Sequence, residues 1–187
     1  MEVTSSIRIN PKRHKPAMAI KISDPYTFLH NLVSRKGKSD LYGVTLTAVS
    51  VIADTHTDYE YEVSKTDIER DLKSLFSRER GDWDSLLVET RMNRQEMVFP
   101  ISFIHGTEPI TVYFISEDHD MSCMVFIPTL SVEEFKYEVV FYIELLKEVA
   151  AFAGKTPTTV RFTLGSASVE WDDLVERGDV QEVTVGF

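Results

Sequence analysis

Residues 131–155 read SVEEFKYEVVFYIELLKEVAAFAGK and run directly into TPTTVRFTLGSASVEWDDL at 156–174. The first stretch predicts one long helix. Ser131 followed by Glu134 fits a capping box, and Glu133 and Glu134 suit the positive end of a helix dipole. Apolar residues recur at Phe135, Val139, Tyr142, Leu146, Val149 and Ala153. Val132, Phe141, Leu145 and Phe152 widen that stripe, while Lys136, Glu144, Lys147 and Glu148 mark a narrower wet face. So wide a stripe predicts a helix lying across a sheet. Gly154 supplies a left-handed cap and Pro157 stops continuation. The second stretch predicts a core strand over 159–164, with Val160, Phe162 and Leu164 facing one way. It then runs into a Gly-Ser turn and a short helical turn at 172–175.

Working outward, 187 residues suffice for one sizeable domain, 1–187, with 1–16 as either an edge strand with a tail or a mobile basic N-terminal arm. The longest strongly apolar run, 139–143, is five residues, far short of the roughly 20 that span a bilayer. The first residues lack an apolar signal core. A single cysteine, Cys123, rules out an internal disulfide and fits a reducing compartment, so the expected location is cytoplasmic. Net charge is −10. Residues 1–40 carry eight Lys/Arg against three acids, and the remainder carry twelve against twenty-seven. So acidic a body argues against nonspecific nucleic-acid binding, although 12–15 form a basic run.

Residues 17–22 suit a short strand. Asp24 and Pro25 open a helix through Val33, with Phe28, Leu29 and Leu32 inward, closed by the cations and Gly37 that follow. Residues 41–53 suit a strand broken by a bulge at Ala48 and Val49. Residues 59–63 suit a strand or an extended loop. Ser64 or Thr66 caps a helix over 67–76 that buries Ile68, Leu72, Leu75 and Phe76. Residues 78–84 suit a charged loop around Gly81, and 83–93 are open to either structure. A strand over 97–104 precedes the clearest hairpin, 110–115 and 121–127, with a five-residue turn and Pro128 as its stop. A last strand is expected at 181–185. This order predicts an α+β fold, a mixed, largely antiparallel sheet packed against the long central helix.

Met121-Ser122-Cys123-Met124 on the hairpin, Tyr142-Ile143-Glu144-Leu145-Leu146 in the helix, and the run from Phe162 through Gly165-Ser166-Ala167-Ser168 to Val169 together resemble thymidylate synthase and the pyrimidine hydroxymethylases. The likeness covers roughly residues 110–175. That family reads L-S-C-x-L on the strand, Y-A-L-L in the helix and H-x-x-G-D-A-H-x-Y on the following strand. The resemblance implies that Val139, Ile127 and Ser168 share one cavity, and that the helix covers the strand at 160–164. It also implies sheet-to-sheet homodimers. The family's chemistry does not carry over. Its nucleophilic cysteine, in P-C-H, has no counterpart near His105, Thr107 and Glu108. Ile127 and Pro128 replace the phosphate-gripping arginine and its serine. Val139 falls where an asparagine reads the pyrimidine. Ser166, Ser168 and Glu170 replace the family's aspartate, histidine and tyrosine.

The candidate ligand pocket is therefore His105, Thr107, Glu108, Ser166, Ser168 and Glu170. Candidate phosphate contacts are Arg78, Arg80, Arg91 and Arg94. Each set has a plainer reading as polar loop or solvated charge. Asp118, His119 and Asp120 read as a turn before they read as a metal site, Trp83 and Trp171 read as anchors, and neither a metal nor a cofactor is expected. Three functions compete. One is a catalytically inactive thymidylate-synthase-like homodimer that binds a nucleotide-related ligand or a protein. Another is a divergent pyrimidine C5 methyl- or hydroxymethyltransferase. The last is an unrelated α+β structural or regulatory protein of viral type.

Overall fold

The computed structural model describes residues 24–78, 80–92, 97–105 and 108–176. The expected basic arm, the strand at 17–22 and the strand at 181–185 lie outside the described residues. Asp24 caps α1 (Pro25–Lys36), its carboxylate accepting the Tyr26 N–H at 3.1 Å. The buried face is Tyr26, Leu29, His30 and Val33, with Phe28 left 38% exposed. This corrects the expected set of Phe28, Leu29 and Leu32. The true stripe steps by three and four through a tyrosine and a histidine, which an apolar count passes over. Gly37 closes the helix in extended geometry.

A short edge strand, β1 (Lys38–Ser39), leads to β2 (Gly43–Asp54). Residues 59–63 form no strand, and Ser64 Oγ accepts the Asp67 N–H to cap α2 (Lys65–Arg78). The expected charged loop at 78–84 is mostly helix, α3 (Arg80–Met92). Gly81 falls in its first turn. Trp83 and Leu86 bury the inner face of that turn. Then come β3 (Met97–His105), β4 (Glu108–Glu117) and β5 (Asp120–Ser131). The hairpin turn is Asp118 and His119 alone, shorter than expected, because Glu117 pairs with Asp120. The central helix α4 (Phe135–Ala153) begins after a turn at 132–134 rather than directly after Ser131. Half of the capping box survives, the Ser131 N–H donating to Glu134 Oε2 at 3.4 Å. Gly154, at φ 70°, ends the helix as expected. β6 (Thr156–Glu170) and α5 (Trp171–Glu176) complete the order.

The sheet is mixed and largely antiparallel, in the order β1-β2-β6-β5-β4-β3, with β5 and β6 the parallel pair joined through α4. α4 packs on β5 and β6, and α1, α2 and α3 each touch α4, so the helices share one face. Under them lie Val49, Val51, Met121, Cys123, Val125, Val160, Phe162 and Leu164, each no more than 5% exposed. The other face carries a row in register, Ile52, Arg161, Met124, Tyr113 and Pro100. Beside it runs Ser50, Thr163, Phe126, Thr111 and Ser102. No described helix covers this face. No described helix is long and apolar enough to cross a membrane.

Gly165 and Ser166 form no turn, since β6 runs straight through them. Instead the alternation of buried and exposed residues slips at one level across three strands. Ala48 sits at φ 57° in β2, and Gly165 and Pro128 stand level with it in β6 and β5. The expected break at Ala48 is thus one part of a wider bend. At Gly165 an added Cβ would lie 2.5 Å from the Pro128 carbonyl oxygen, so the bend needs glycine. β5 continues past Pro128 because its ladder with β4 ends at Phe126, leaving the proline on a locally open side.

Candidate functional site

Where β5 outruns β4, the end of β3, the start of α4 and the inner side of α2 enclose a cavity of about 690 Å³. α2 contributes Asp71, Ser74, Leu75 and Arg78; β3 contributes Phe103, Ile104 and His105. β5 contributes Ile127, Thr129 and Leu130, the N-cap of α4 contributes Glu134, and α4 itself contributes Tyr137, Glu138 and Phe141.

The core of the site is a pair. His105 Nε2 donates to Glu138 Oε1 at 3.2 Å, with both side chains largely buried. The His105 ring lies 4.5 Å from Phe141 and stacks on Tyr137 at 6.1 Å. Tyr137 and Phe141 are themselves parallel at 6.0 Å. The Tyr137 hydroxyl donates to Asp71 Oδ2 at 2.6 Å, and Arg70 holds the other Asp71 oxygen at 3.1 Å. Burial alone would lower the imidazole pKa. The hydrogen bond to Glu138 and the charges of Glu138 and Asp71 outweigh it, so His105 titrates above its ordinary value. The Tyr137 bond is the main reason that Asp71 stays below the usual carboxylate range.

Glu138 Oε2 is buried and has no hydrogen-bond partner among the described residues. Leaving a charged acceptor so is costly, by about 1–3 kcal/mol or more. That oxygen belongs to a residue only 9% exposed on a wall of the cavity. The site therefore offers an unused acceptor beside three stacked rings. His105, oriented by Glu138, has the form of a general base.

Of the expected pocket, His105 is present on the cavity wall, while Thr107 lies outside the described residues and Glu108 opens β4. Ser166, Ser168 and Glu170 stand elsewhere on β6, opposite Thr47, Thr45 and Gly43, and line no part of it. Of the expected phosphate contacts, Arg78 is on the wall. Arg80 and Arg91 belong to α3, and Arg94 lies outside the described residues. Ile127 lines the cavity, whereas Val139 is fully buried in the core and Ser168 is on β6, so these three do not form one pocket. The strand at 160–164 does lie beneath α4. Cys123 is buried mid-strand with its thiol pushed up by burial, a packing residue and not a nucleophile. Trp83 is a core anchor, and Trp171 donates to the Asp40 carbonyl at 3.1 Å.

Sequence reasoning passed over Asp71, Tyr137 and Glu138. The last had a signal: 135, 138, 139 and 142 make one helical stripe, and Glu138 is its sole charge. No protein-family model matches the chain, and no curated protein matches it.

Proposed function

We propose that the chain is a non-catalytic binding module whose cavity between α2, β3 and α4 holds a small ligand, and whose open sheet face joins two copies. The observation that carries the ligand site is the unpartnered, buried Glu138 oxygen in the cavity wall. The stacked rings of His105, Tyr137 and Phe141 suit a flat ligand. A nucleotide-related ligand, as the likeness to thymidylate synthase implies, would enter by its base. Three carboxylates against Arg78 in the wall oppose a phosphate. Non-catalytic function is supported by the burial of Cys123, which removes the chain's one thiol from the site.

Self-association is supported by the open face. Ile52, Phe126, Val98 and Ile104 are 40–59% exposed there, and the two central rows hold one cation, Arg161, and no acid. With a net charge of −10, the rest of the chain repels a second copy. Five strands at about 4.8 Å spacing and roughly eight residues at about 3.3 Å rise give roughly 600 Å² before side-chain relief, near the about 800 Å² per partner of a stable interface.

Calorimetry with bases, nucleosides and nucleotides, beside tritium release from labelled dUMP and dCMP, tests the ligand site. Binding of a base or nucleoside without turnover is expected. Turnover would establish the C5-transferase reading, and failure of every compound to bind would remove the nucleotide-related ligand. Light scattering on a sizing column should give a dimer that Phe126→Glu splits. A monomeric parent protein would end the dimer proposal.

A further inference from the structure

We propose that the group seated against Glu138 is an organic cation carrying an N–H donor, a primary amine or a guanidinium. This rests on the cavity being a ligand site, and adds to the flat ring proposed there a cationic donor carried by the same ligand. Glu138 lines the cavity, and one of its acceptor oxygens is buried beneath that wall and lacks a partner among the described residues. A carboxylate is satisfied by a donor or by a metal ion, and no three His, Cys, Asp or Glu side chains among the described residues are grouped to hold a metal.

The surroundings decide the charge. Glu134 and Glu138 stand four residues apart on one side of α4, where like charges repel. Asp71 joins them from α2, and Tyr137, between the two helices, holds it there. Against these acids the wall has Arg78 and a histidine that already shares the first Glu138 oxygen, and Arg70, outside the wall, pairs with Asp71 and leaves Glu134 and Glu138 as the carboxylates that a ligand must balance. A cation relieves the repulsion and supplies the donor together. An anion would meet three carboxylates, and a neutral donor would satisfy the oxygen while leaving the repulsion. The rings of Tyr137 and Phe141 line the same wall, and aromatic surface also favours a cation over an anion.

Three aromatic probes of similar size test this on the full chain by calorimetry or by perturbation of the His105 ring signals: benzylamine, benzyl alcohol and benzoate. Benzylamine should bind about tenfold or more tighter than benzyl alcohol, the equivalent of one charge-assisted hydrogen bond, and benzoate weakest. Glu138→Gln should erase the preference for the amine. Equal binding of all three, or preference for benzoate, overturns the cation while leaving the cavity as a ligand site. Binding of none, with the His105 signals unmoved, overturns both. Preference for the amine that survives in Glu138→Gln places the cation elsewhere and also overturns the assignment. The comparison within the parent protein stands even if that variant folds poorly.

Discussion

Replacing Gly165 by alanine tests the bend that brings β5 and α4 to the cavity. The new Cβ would sit 2.5 Å from the Pro128 oxygen and 3.3 Å from its carbonyl carbon. Both are backbone atoms of paired strands, so no side chain can swing aside. The strands must part by about 0.5 Å merely to reach 3.0 Å, and overpacking of this kind destabilises by about 1–3 kcal/mol. Restricting the unfolded chain returns about 0.4–1 kcal/mol, leaving a net loss of about 1–2 kcal/mol. For a chain of this size that lowers Tm by about 2–8 °C. Thr129 and Leu130 follow Pro128 directly and line the cavity, so amine affinity should fall in the same variant. Gly81→Ala is the control, since its Cβ meets nothing within 4 Å in the first turn of α3. Helix propensity then raises stability by about 0.5 kcal/mol. The assay is thermal melting by circular dichroism. A neutral or stabilising Gly165→Ala beside a stabilising Gly81→Ala would show that the strands do not approach as described.

The raised pKa of His105 sets a pH dependence. Its contribution is fully present below the ordinary imidazole value of 6.5 and disappears as pH rises through the folded value. The Tm advantage of the parent over Glu138→Gln should therefore be largest near pH 5–6 and shrink by pH 9; an advantage that grows with pH would contradict the pairing. Cys123 should resist a thiol-specific disulfide reagent in the native protein and react fully in denaturant; labelling within minutes under native conditions would contradict its burial. Exchange of the buried pair for apolar groups, His105→Phe with Glu138→Met, should melt at or above the parent and lose the amine, whereas Glu138→Met alone should melt below it. A double variant less stable than Glu138→Met would make the pair structural.

Long periodic stretches were legible from the residues: α4 from its stripe and its Gly154 cap, α1 from Asp24 and Pro25, the hairpin from its two apolar runs. The failures share one physical cause. Gly81, Pro128 and the Gly165-Ser166 pair all read as breaks, because local preference treats glycine and proline as punctuation. Each is instead accommodated by a feature that the sequence does not show. Gly81 falls in a helix turn whose Trp83 is buried against the core, Pro128 where the ladder to β4 has stopped, and Gly165 where two backbones nearly touch. The cavity was less legible still. Its walls come from residues 71–78, 103–105, Ile110 and 127–141, and only pairing order and crossing helices bring them together. Of the residues singled out from the sequence as ligand-pocket or phosphate contacts, His105 and Arg78 meet there; the serines of β6 do not, because the bend and the pairing with β2 keep that end of the strand away from α2.

Glu138 is the position where folding and binding pull apart. Its stripe on α4 is otherwise Phe135, Val139, Tyr142 and Leu146, all fully buried. A methionine or leucine there would complete that stripe and remove a buried charge. Pairing with His105 compensates for half of the carboxylate and leaves the other oxygen bare. A charge retained inside an apolar stripe, half-satisfied and beside a cavity, lowers the stability of the free chain by an amount that a matching donor would restore. The same deficit that weakens the empty protein is the source of selectivity in the filled one, because a ligand without the donor leaves the deficit in place.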